Sequence, residues 1–329
     1  MSVQNYPSSE YELINTLQGV LGFQDNPAYD VAIGDDAAIR QCQGAEKLVL
    51  TTDISVENVH FSLKTASLRE IGYKAMVTNL SDCAAMGALP DSALVALTFP
   101  ASLKDLKSAI AEIYSGFAEA CYRWKFPVVG GDLSSGNQWV ISITLIGKSL
   151  PGSRILRRTG AKDGDLLWVS GFPGRSGAGL AALQKYGRIK EPEVYNTLVD
   201  CHIIPVPRIE TGLELARQQA VHAMMDLSDG LSKDCRTLAF ENKLGIVLKF
   251  DSLQIPNAMI KLSTELNVPV VEWMLHGGED YELLFAASPD FSSSAITEQV
   301  GEGMHCIGRF SSECTGPRRR DLATEDHVA

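Results

Sequence analysis

Apolar and polar positions along the chain follow two different periods, which predicts a protein built from both strands and helices. Continuous apolar runs bounded by polar turns predict strands at 47–52, 92–99, 127–129, 138–146, 166–170, 222–225, 246–250 and 281–287. Apolar residues at helical spacing predict helices at 9–21, 67–86, 102–124, 178–186, 208–218 and 231–241. Because both halves mix the two kinds of element, we expect an α+β fold with a mixed α/β architecture.

A change of composition near the middle of the chain predicts two domains. Residues 148–165 are rich in Gly, Arg, Ser and Lys and interrupt the succession of strands and helices. The length of 329 residues also suits two domains, since a typical domain has about 150 residues. We therefore predict an N-terminal domain over 1–148 and a C-terminal domain over 149–329, with a polar tail from about residue 311.

Charge and cysteine usage narrow the range of partners. The chain has 29 basic and 40 acidic residues, a formal net charge of −11, which argues against nucleic acid as the main partner. No apolar stretch approaches the ~18 residues that a membrane span needs. The 7 cysteines are scattered and form no C-x-x-C pair, so we expect reduced thiols, no zinc site and a cytoplasmic protein.

Several aspartates lie in short polar segments beside apolar runs, and this arrangement predicts a cation site. A single aspartate in such a position is usually a turn or helix cap, because its side chain bonds nearby backbone amides. Asp82 is different, since it lies within an apolar helical pattern where an unpaired charge is costly. Carboxylates that converge on one cleft, with Thr and Ser hydroxyls nearby, suit Mg²⁺, and bound Mg²⁺ in turn attracts phosphates.

Two glycine-rich segments resemble nucleotide-binding loops but lack the required spacing. The segment Gly147-Lys148-Ser149 has Ser142 where a phosphate-binding loop of the Walker type needs a glycine. The glycines between 171 and 179 follow their strand too late for a dinucleotide site, which disfavours an oxidoreductase. His60 and the acidic patch around Glu279 could each be structural when judged by their local sequence alone.

A series of motifs occurs in a fixed order along the chain. The N-terminal half contains Gly34-Asp35-Asp36-Ala37-Ala38, Thr51-Thr52-Asp53, Asn58-Val59-His60-Phe61, Lys74-Ala75, Asn79-Leu80-Ser81-Asp82 and Gly130-Gly131-Asp132. The C-terminal half adds Arg158, Asp226-Leu227-Ser228-Asp229-Gly230 and Gly278-Glu279-Asp280-Tyr281-Glu282-Leu283. From about residue 8 to 310 the sequence closely resembles the thiamine-monophosphate kinase family of the aminoimidazole ribonucleotide synthetase-like superfamily.

The resemblance implies a fold, a reaction and a set of site residues. It implies an N-terminal domain whose strands pair across a homodimer and a C-terminal α/β domain. The implied reaction transfers a phosphoryl group from ATP to thiamine monophosphate. The residues implied to hold several Mg²⁺ ions are Asp36, Thr51, Thr52, Asp53, Asp82, Asp132, Asp226 and Asp229, with Asp82 as the central ligand. Those implied to contact ATP are Tyr114, Gly131, Asp132, Arg158 and Ser228, and those implied to contact the thiamine are His60 and Glu279.

The acceptor is itself an ionised phosphate, so we expect neither a general base nor a covalent nucleophile. The sequence departs from the family at its end, because residues 311–329 contain no aromatic residue where family members usually have one that stacks on the substrate. Two alternatives remain open at this point. One is another ATP-using enzyme of the same superfamily, and the other is an inactive homologue that binds nucleotide or metal.

Overall fold

The computed structural model describes residues 29–31, 35–41, 47–188, 193–250, 253–301 and 303–314. The predicted helix at 9–21 and most of the predicted polar tail lie outside these residues. Within them, two sheets with helices packed against them confirm the expected α+β fold. No helix of the described chain is both long enough and apolar enough to cross a membrane.

The N-terminal half forms a sheet of six strands. The strands are β1 (Tyr29–Val31), β2 (Ala38–Gln41), β3 (Lys47–Val56), β4 (Leu89–Pro100), β5 (Val128–Gly136) and β6 (Val140–Lys148). Their order is β1-β2-β3-β6-β4-β5, antiparallel except for the parallel pair β4 and β5. The helices α1 (Leu68–Ala85) and α2 (Leu106–Trp124) pack on one face of this sheet through a shared apolar core.

The C-terminal half forms a second sheet, of five antiparallel strands. These are β7 (Leu166–Ser170), β8 (Val221–Leu227), β9 (Gly245–Leu248), β10 (Glu282–Ala287) and β11 (Met304–Ser311), in the order β8-β10-β7-β11-β9. The helices are α3 (Arg175–Tyr186), α4 (Asn196–Ile203), α5 (Ile209–Arg217), α6 (Leu231–Asn242), α7 (Asn257–Leu266), α8 (Val270–His276) and α9 (Ser294–Val300).

Helix α1 lies at the junction of the two halves. Its N-terminus has a capping box, in which the Ser67 hydroxyl and the Glu70 carboxylate each accept a backbone N–H. Its backbone touches that of α2, because a Cβ on Gly116 would lie 1.9 Å from the carbonyl oxygen of Arg69. Further along, a Cβ on Gly212 of α5 would lie 2.1 Å from the carbonyl oxygen of Ala84. These close approaches fix α1 between the N-terminal sheet and the C-terminal helices.

Two sequence-based expectations about the motif segments were wrong. The strand expected to end at Asp53 continues to Val56, so that Asp53 lies inside β3. The Gly130-Gly131-Asp132 segment lies inside β5, where a Cβ on Gly131 would come within 1.8 Å of the Val95 carbonyl oxygen. Glycine there permits close pairing rather than a turn. The 79–82 segment lies inside α1, which runs through it to Ala85 as the helix predicted at 67–86 implies.

Candidate active site

A polar cavity of about 510 Å³ lies between the two halves of the chain. Its size falls within the range of small-molecule sites, which is about 300–1,000 Å³. Strand β3 and helix α1 form one wall, and the segment around Arg158, the end of β8, α4 and the 277–281 loop form the other. The predicted site residues that line it are Asp36, Thr51, Thr52, Asp53, His60, Asp82, Arg158, Asp226, Ser228, Asp229 and Glu279.

Three carboxylates meet at one end of this cavity. Asp36 precedes β2, Asp82 lies on α1 and Asp226 lies on β8, and they offer oxygens that are all within 4.8 Å of one another. Thr51 Oγ1 donates a hydrogen bond to Asp82 Oδ2, and Ser81 Oγ donates to Asp226 Oδ2 at 2.8 Å. These two hydroxyls, both from the N-terminal half, thus hold carboxylates of the two halves close together.

Burial gives this acidic cluster a strong preference for a cation. Burial, followed by the charge of Asp36, raises the pKa of Asp226 to about 7. Burial and the charges of Asp53, Asp226 and Asp36 raise the pKa of Asp82 well above its usual range. Buried carboxylates that repel one another are stabilised as anions by a nearby positive charge.

The cluster has the donor atoms that suit Mg²⁺. All its potential ligands are carboxylate or hydroxyl oxygens, which hard cations prefer. Asp36 Oδ2 is buried and has no hydrogen-bond partner among the described residues, so its lone pairs are free to bind a cation. Asp53 lies beside the cluster, and burial is the main cause of its raised pKa. These residues fit a divalent metal ion.

Arg158 is the basic residue at the acidic end. Its guanidinium forms an ion pair with Asp36, and its backbone N–H points to the Asp35 carboxylate at 3.2 Å. Burial disfavours the charged form of Arg158, but the neighbouring carboxylates outweigh this effect and raise its pKa. The guanidinium is therefore permanently charged at the acidic end of the cavity.

The other end of the cavity carries Glu279 in a cluster with two basic side chains. Lys74 Nζ lies 3.1 Å from Glu279 Oε2, and His202 Nδ1 lies 3.6 Å from the same oxygen. Burial, followed by the charge of Lys74, lowers the pKa of His202 to about 4, so its ring is neutral near pH 7. His60 and the aromatic rings of Phe61 and Tyr281 also line the cavity.

The loop that carries Glu279 is held in an unusual backbone conformation. Glu279 and Tyr281 have positive φ angles of 63° and 52°, which non-glycine residues rarely adopt. Between them, the buried Asp280 accepts hydrogen bonds from the backbone N–H groups of Gly174 (2.6 Å) and Ser176 (2.9 Å) at the start of α3. Glu282 anchors the end of the loop. The loop therefore presents Glu279 to the cavity from two fixed points.

Three predicted residues do not line the cavity of the described chain: Tyr114, Gly131 and Asp132. Tyr114 packs edge-on against Phe117 on α2. Across the sheet, Asp132 of β5 pairs with Ala96 of β4, and Ala96 pairs with Ser142 of β6. Ser142 in turn pairs with Ile54 of β3. Three strand spacings of about 4.8 Å place Asp132 about 14 Å across the sheet from Ile54.

Thr52 lines the cavity, but its hydroxyl is bonded within the N-terminal sheet. Thr52 Oγ1 donates to the carbonyl oxygen of Ile143 at 3.0 Å and accepts from Thr144 Oγ1 at 3.2 Å. Its role as a metal ligand stays a prediction, as do the ligand and substrate roles of the other cavity residues.

Sequence reasoning gave no role to Lys74 or His202. Lys74 could have been found, because Lys74, Thr78 and Asp82 are spaced four residues apart on a predicted helix and so share a face. His202 is in a short helix of the other half and has no local sequence signal.

Comparison with known proteins gives the same family for both halves of the chain. Residues 34–149 match the family AIR synthase related protein, N-terminal domain, and residues 162–308 match AIR synthase related protein, C-terminal domain. The thiamine-monophosphate kinase of Salmonella typhimurium is 35% identical over 291 residues, or 87% of this chain and 86% of the relative. That of Aquifex aeolicus is 36% identical over 258 residues, or 77% of this chain and 79% of the relative.

A solved structure of the same kind also matches. The complex of AaThiL with AMPPCP and TMP has a TM-score of 0.79 and 32% identity, over 92% of this chain and 90% of that chain. The ordered motifs, the two AIR synthase related domains and these similarities agree. The chain therefore belongs to the thiamine-monophosphate kinase family of the AIR synthase related proteins.

Proposed function

We propose that the protein uses ATP to phosphorylate thiamine monophosphate, giving thiamine diphosphate and ADP. The observation that carries this proposal is the cavity, which combines an oxygen-rich acidic cluster at one end with Glu279 at the other. The acidic end suits metal-bound phosphates, and a carboxylate at the far end suits the cationic thiazolium ring. The similarity to a complex with AMPPCP and TMP supports the same pair of substrates.

The acidic cluster is the proposed metal site. Asp36, Asp82 and Asp226 would hold Mg²⁺, with Thr51 and Asp53 beside them. Bound Mg²⁺ supplies positive charge that offsets the repulsion between two polyanions and orients an in-line transfer. The predicted contacts of Ser228 and Asp229 with ATP and metal belong to this end of the cavity.

The chain's own residues position the reactants rather than react with them. The acceptor phosphate is already ionised near pH 7, so no base has to generate the nucleophile. His202 is poorly suited to act as a base, because it lies beside Glu279, at the opposite end of the cavity from the carboxylate cluster. Arg158 adds a permanent positive charge for the phosphates of ATP. We expect direct transfer without a phosphorylated side chain.

A homodimer would bring Asp132 into this arrangement. Within one chain Asp132 is too far across the sheet to share a metal ion with Asp53, since ligands of one Mg²⁺ lie about 2.1 Å from it. Strand β5 is at the edge of the described sheet and has an unpaired side. A second copy that docks on this sheet could place its Asp132 next to the first copy's cavity.

The exposed face of the N-terminal sheet supports such a dimer. Ile54 is 55% exposed and Leu94 is 41% exposed, although both lie on central strands. In the register of the sheet, their side chains lie on the same face as that of Asp132. The buried Val95 and Ile143 lie on the other face. Exposed apolar side chains on a central part of a sheet are typical of an interface.

A product assay tests the proposed reaction. The protein is incubated with ATP, Mg²⁺ and thiamine monophosphate, and thiamine diphosphate and ADP are measured by chromatography. We expect equal amounts of both products, and none when a chelator removes divalent metal. ADP formation that needs a different acceptor would favour another enzyme of the superfamily, and absence of turnover with retained ATP binding would favour an inactive homologue.

A further inference from the structure

Lys74 is a buried ammonium in the cavity to which no role has yet been given. Its side chain is 12% exposed, and its Nζ atom lies 3.1 Å from Glu279 Oε2. Burial lowers the pKa of Lys74, and Glu279 opposes that shift by stabilising the charged form. Among the described residues that line the cavity, the lysine and arginine side chains are Lys74 and Arg158. Arg158 lies at the acidic end, where it pairs with Asp36, so Lys74 is the cationic side chain at the other end.

Helix α1 sets the distance between Lys74 and the acidic cluster. Lys74, Thr78 and Asp82 line the cavity from one face of this helix. Eight residues of an α-helix correspond to about 12 Å along its axis. The long, flexible side chain of Lys74 lets its ammonium reach a group that lies between Glu279 and the metal-binding end.

The proposed acceptor has charges that match this pair. Thiamine monophosphate carries a permanent positive charge on its thiazolium ring and a negative phosphate on the adjoining side chain. Glu279 can pair with the ring, and Lys74, adjacent to it, can pair with the phosphate. Thiamine has the same ring but no phosphate, so Glu279 would have a partner in thiamine and Lys74 would not.

We propose that Lys74 binds the phosphate of the acceptor and makes the site select the phosphorylated form of thiamine over thiamine itself. This inference rests on the proposed function, because it assumes that thiamine monophosphate is the acceptor. Lys74 holds the phosphate at the boundary of the acidic cluster, where three carboxylates would otherwise repel it. Glu279 orients the lysine and binds the ring.

Calorimetric binding of thiamine monophosphate and of thiamine, each with Mg²⁺ and AMPPCP present, tests this assignment. In Lys74→Met we expect binding of thiamine monophosphate to weaken about 10- to 100-fold, the range for a lost hydrogen bond between charged groups. Binding of thiamine should stay unchanged or become tighter, because Glu279 loses a competing ammonium. Glu279→Gln should weaken binding of both compounds.

Two further variants separate a binding role from a structural one. Lys107→Met removes an exposed lysine on α2 and should leave both affinities unchanged. Lys74→Arg keeps the positive charge and should retain most of the preference for thiamine monophosphate. Affinity for AMPPCP, measured in every variant, reports whether the cavity is intact.

Two results would overturn the assignment. One is an equal loss of affinity for both compounds in Lys74→Met, and the other is no loss for thiamine monophosphate. If the wild-type protein makes thiamine diphosphate in either case, the proposed function stands and the role of Lys74 fails. If the wild-type protein binds neither compound and makes no product, both proposals fail.

Discussion

At the scale of single residues, Asp82 is the most constrained acid of the site. It is partly buried on α1, accepts a hydrogen bond from Thr51 and lies close to both Asp36 and Asp226. Burial, followed by the charges of the neighbouring carboxylates, raises the pKa of Asp82, and each of these carboxylates opposes the charge of the others. Such a residue stabilises the protein when a cation is bound and destabilises it when the cation is absent.

Asp82→Asn should therefore separate activity from stability. We expect turnover to fall by about 100-fold or more, since charge stabilisation by metal in a transition state is worth several kcal/mol. In the presence of a chelator, the melting temperature of Asp82→Asn should be higher than that of the wild-type protein, because one of the mutually repelling carboxylates is removed. Thermal melts with and without Mg²⁺, together with initial rates, measure both effects.

The control for this prediction is Asp91→Asn, which alters an acid that pairs with Lys148 away from the cavity. It should change neither rate nor metal response. Near-normal turnover of Asp82→Asn at saturating Mg²⁺ would contradict a central role in metal binding.

At the scale of an element, the 277–281 loop depends on anchors at the end of β7, at the start of α3 and just before α5. Glu282, 1% exposed, receives hydrogen bonds from Arg208 Nε (2.6 Å), Arg175 Nη2 (2.7 Å) and Ser170 Oγ (2.7 Å). Asp280 caps the start of α3, and burial raises its pKa to about 7. These contacts hold the backbone of Glu279 and Tyr281 at positive φ angles, and this conformation places the Glu279 side chain in the cavity.

Glu282→Gln should loosen this loop. Removing one partner of a buried ion pair leaves two guanidinium groups without a counter-charge, and we expect a loss on the order of 3 kcal/mol in the free energy of unfolding. The KM for thiamine monophosphate should rise more than the KM for ATP, because Glu279 contacts only the former in the proposed site. Urea denaturation and steady-state kinetics provide the two measurements.

Glu119→Gln is the matched control, since Glu119 also pairs with an arginine but is 49% exposed. An exposed pair of this kind contributes less than about 1 kcal/mol. Equal destabilisation by the two substitutions would show that the buried anchor has no special part in holding the loop.

At the scale of the whole molecule, the two halves divide the site between them, and a third contribution is proposed from a second copy. The formal charge of −11 gives little indication of this arrangement. Several of the acids are gathered in one cavity, where bound cations would reverse the local sign of the potential. Phosphates can therefore bind to a protein whose overall charge repels them.

The dimer proposal predicts complementation between two inactive variants. Asp82→Asn and Asp132→Asn should each lose most activity as pure proteins. In a mixed dimer with two-fold symmetry of the sites, one site carries both changes and the other carries neither. After subunit exchange of an equal mixture we expect up to about a quarter of wild-type activity.

If Asp132 instead acts within its own chain, the mixture stays as inactive as its components. Light scattering on each variant checks that both remain dimers, so that a lack of complementation cannot come from dissociation.

The sequence alone determined the class of the fold and named most of the predicted site residues that line the cavity. Helix α1 illustrates why, since its capping box and apolar period are local signals that the structure retains from Leu68 to Ala85. The motif aspartates at 36, 82 and 226 were identified from their segments, and the structure brings them together. Local sequence failed at Asp53 and Asp132, because strand ends depend on pairing with a neighbouring strand.

Tertiary structure alone decided which side chains face one another across the cavity. The contact between Lys74 and Glu279 joins residues 205 positions apart, and no local pattern encodes that distance. His202 reaches the same carboxylate from a helix with no recognisable motif. The shifted pKa values follow from burial and from these long-range neighbours. Periodicity and caps are set by adjacent residues, whereas the site's geometry is set by how the two halves pack.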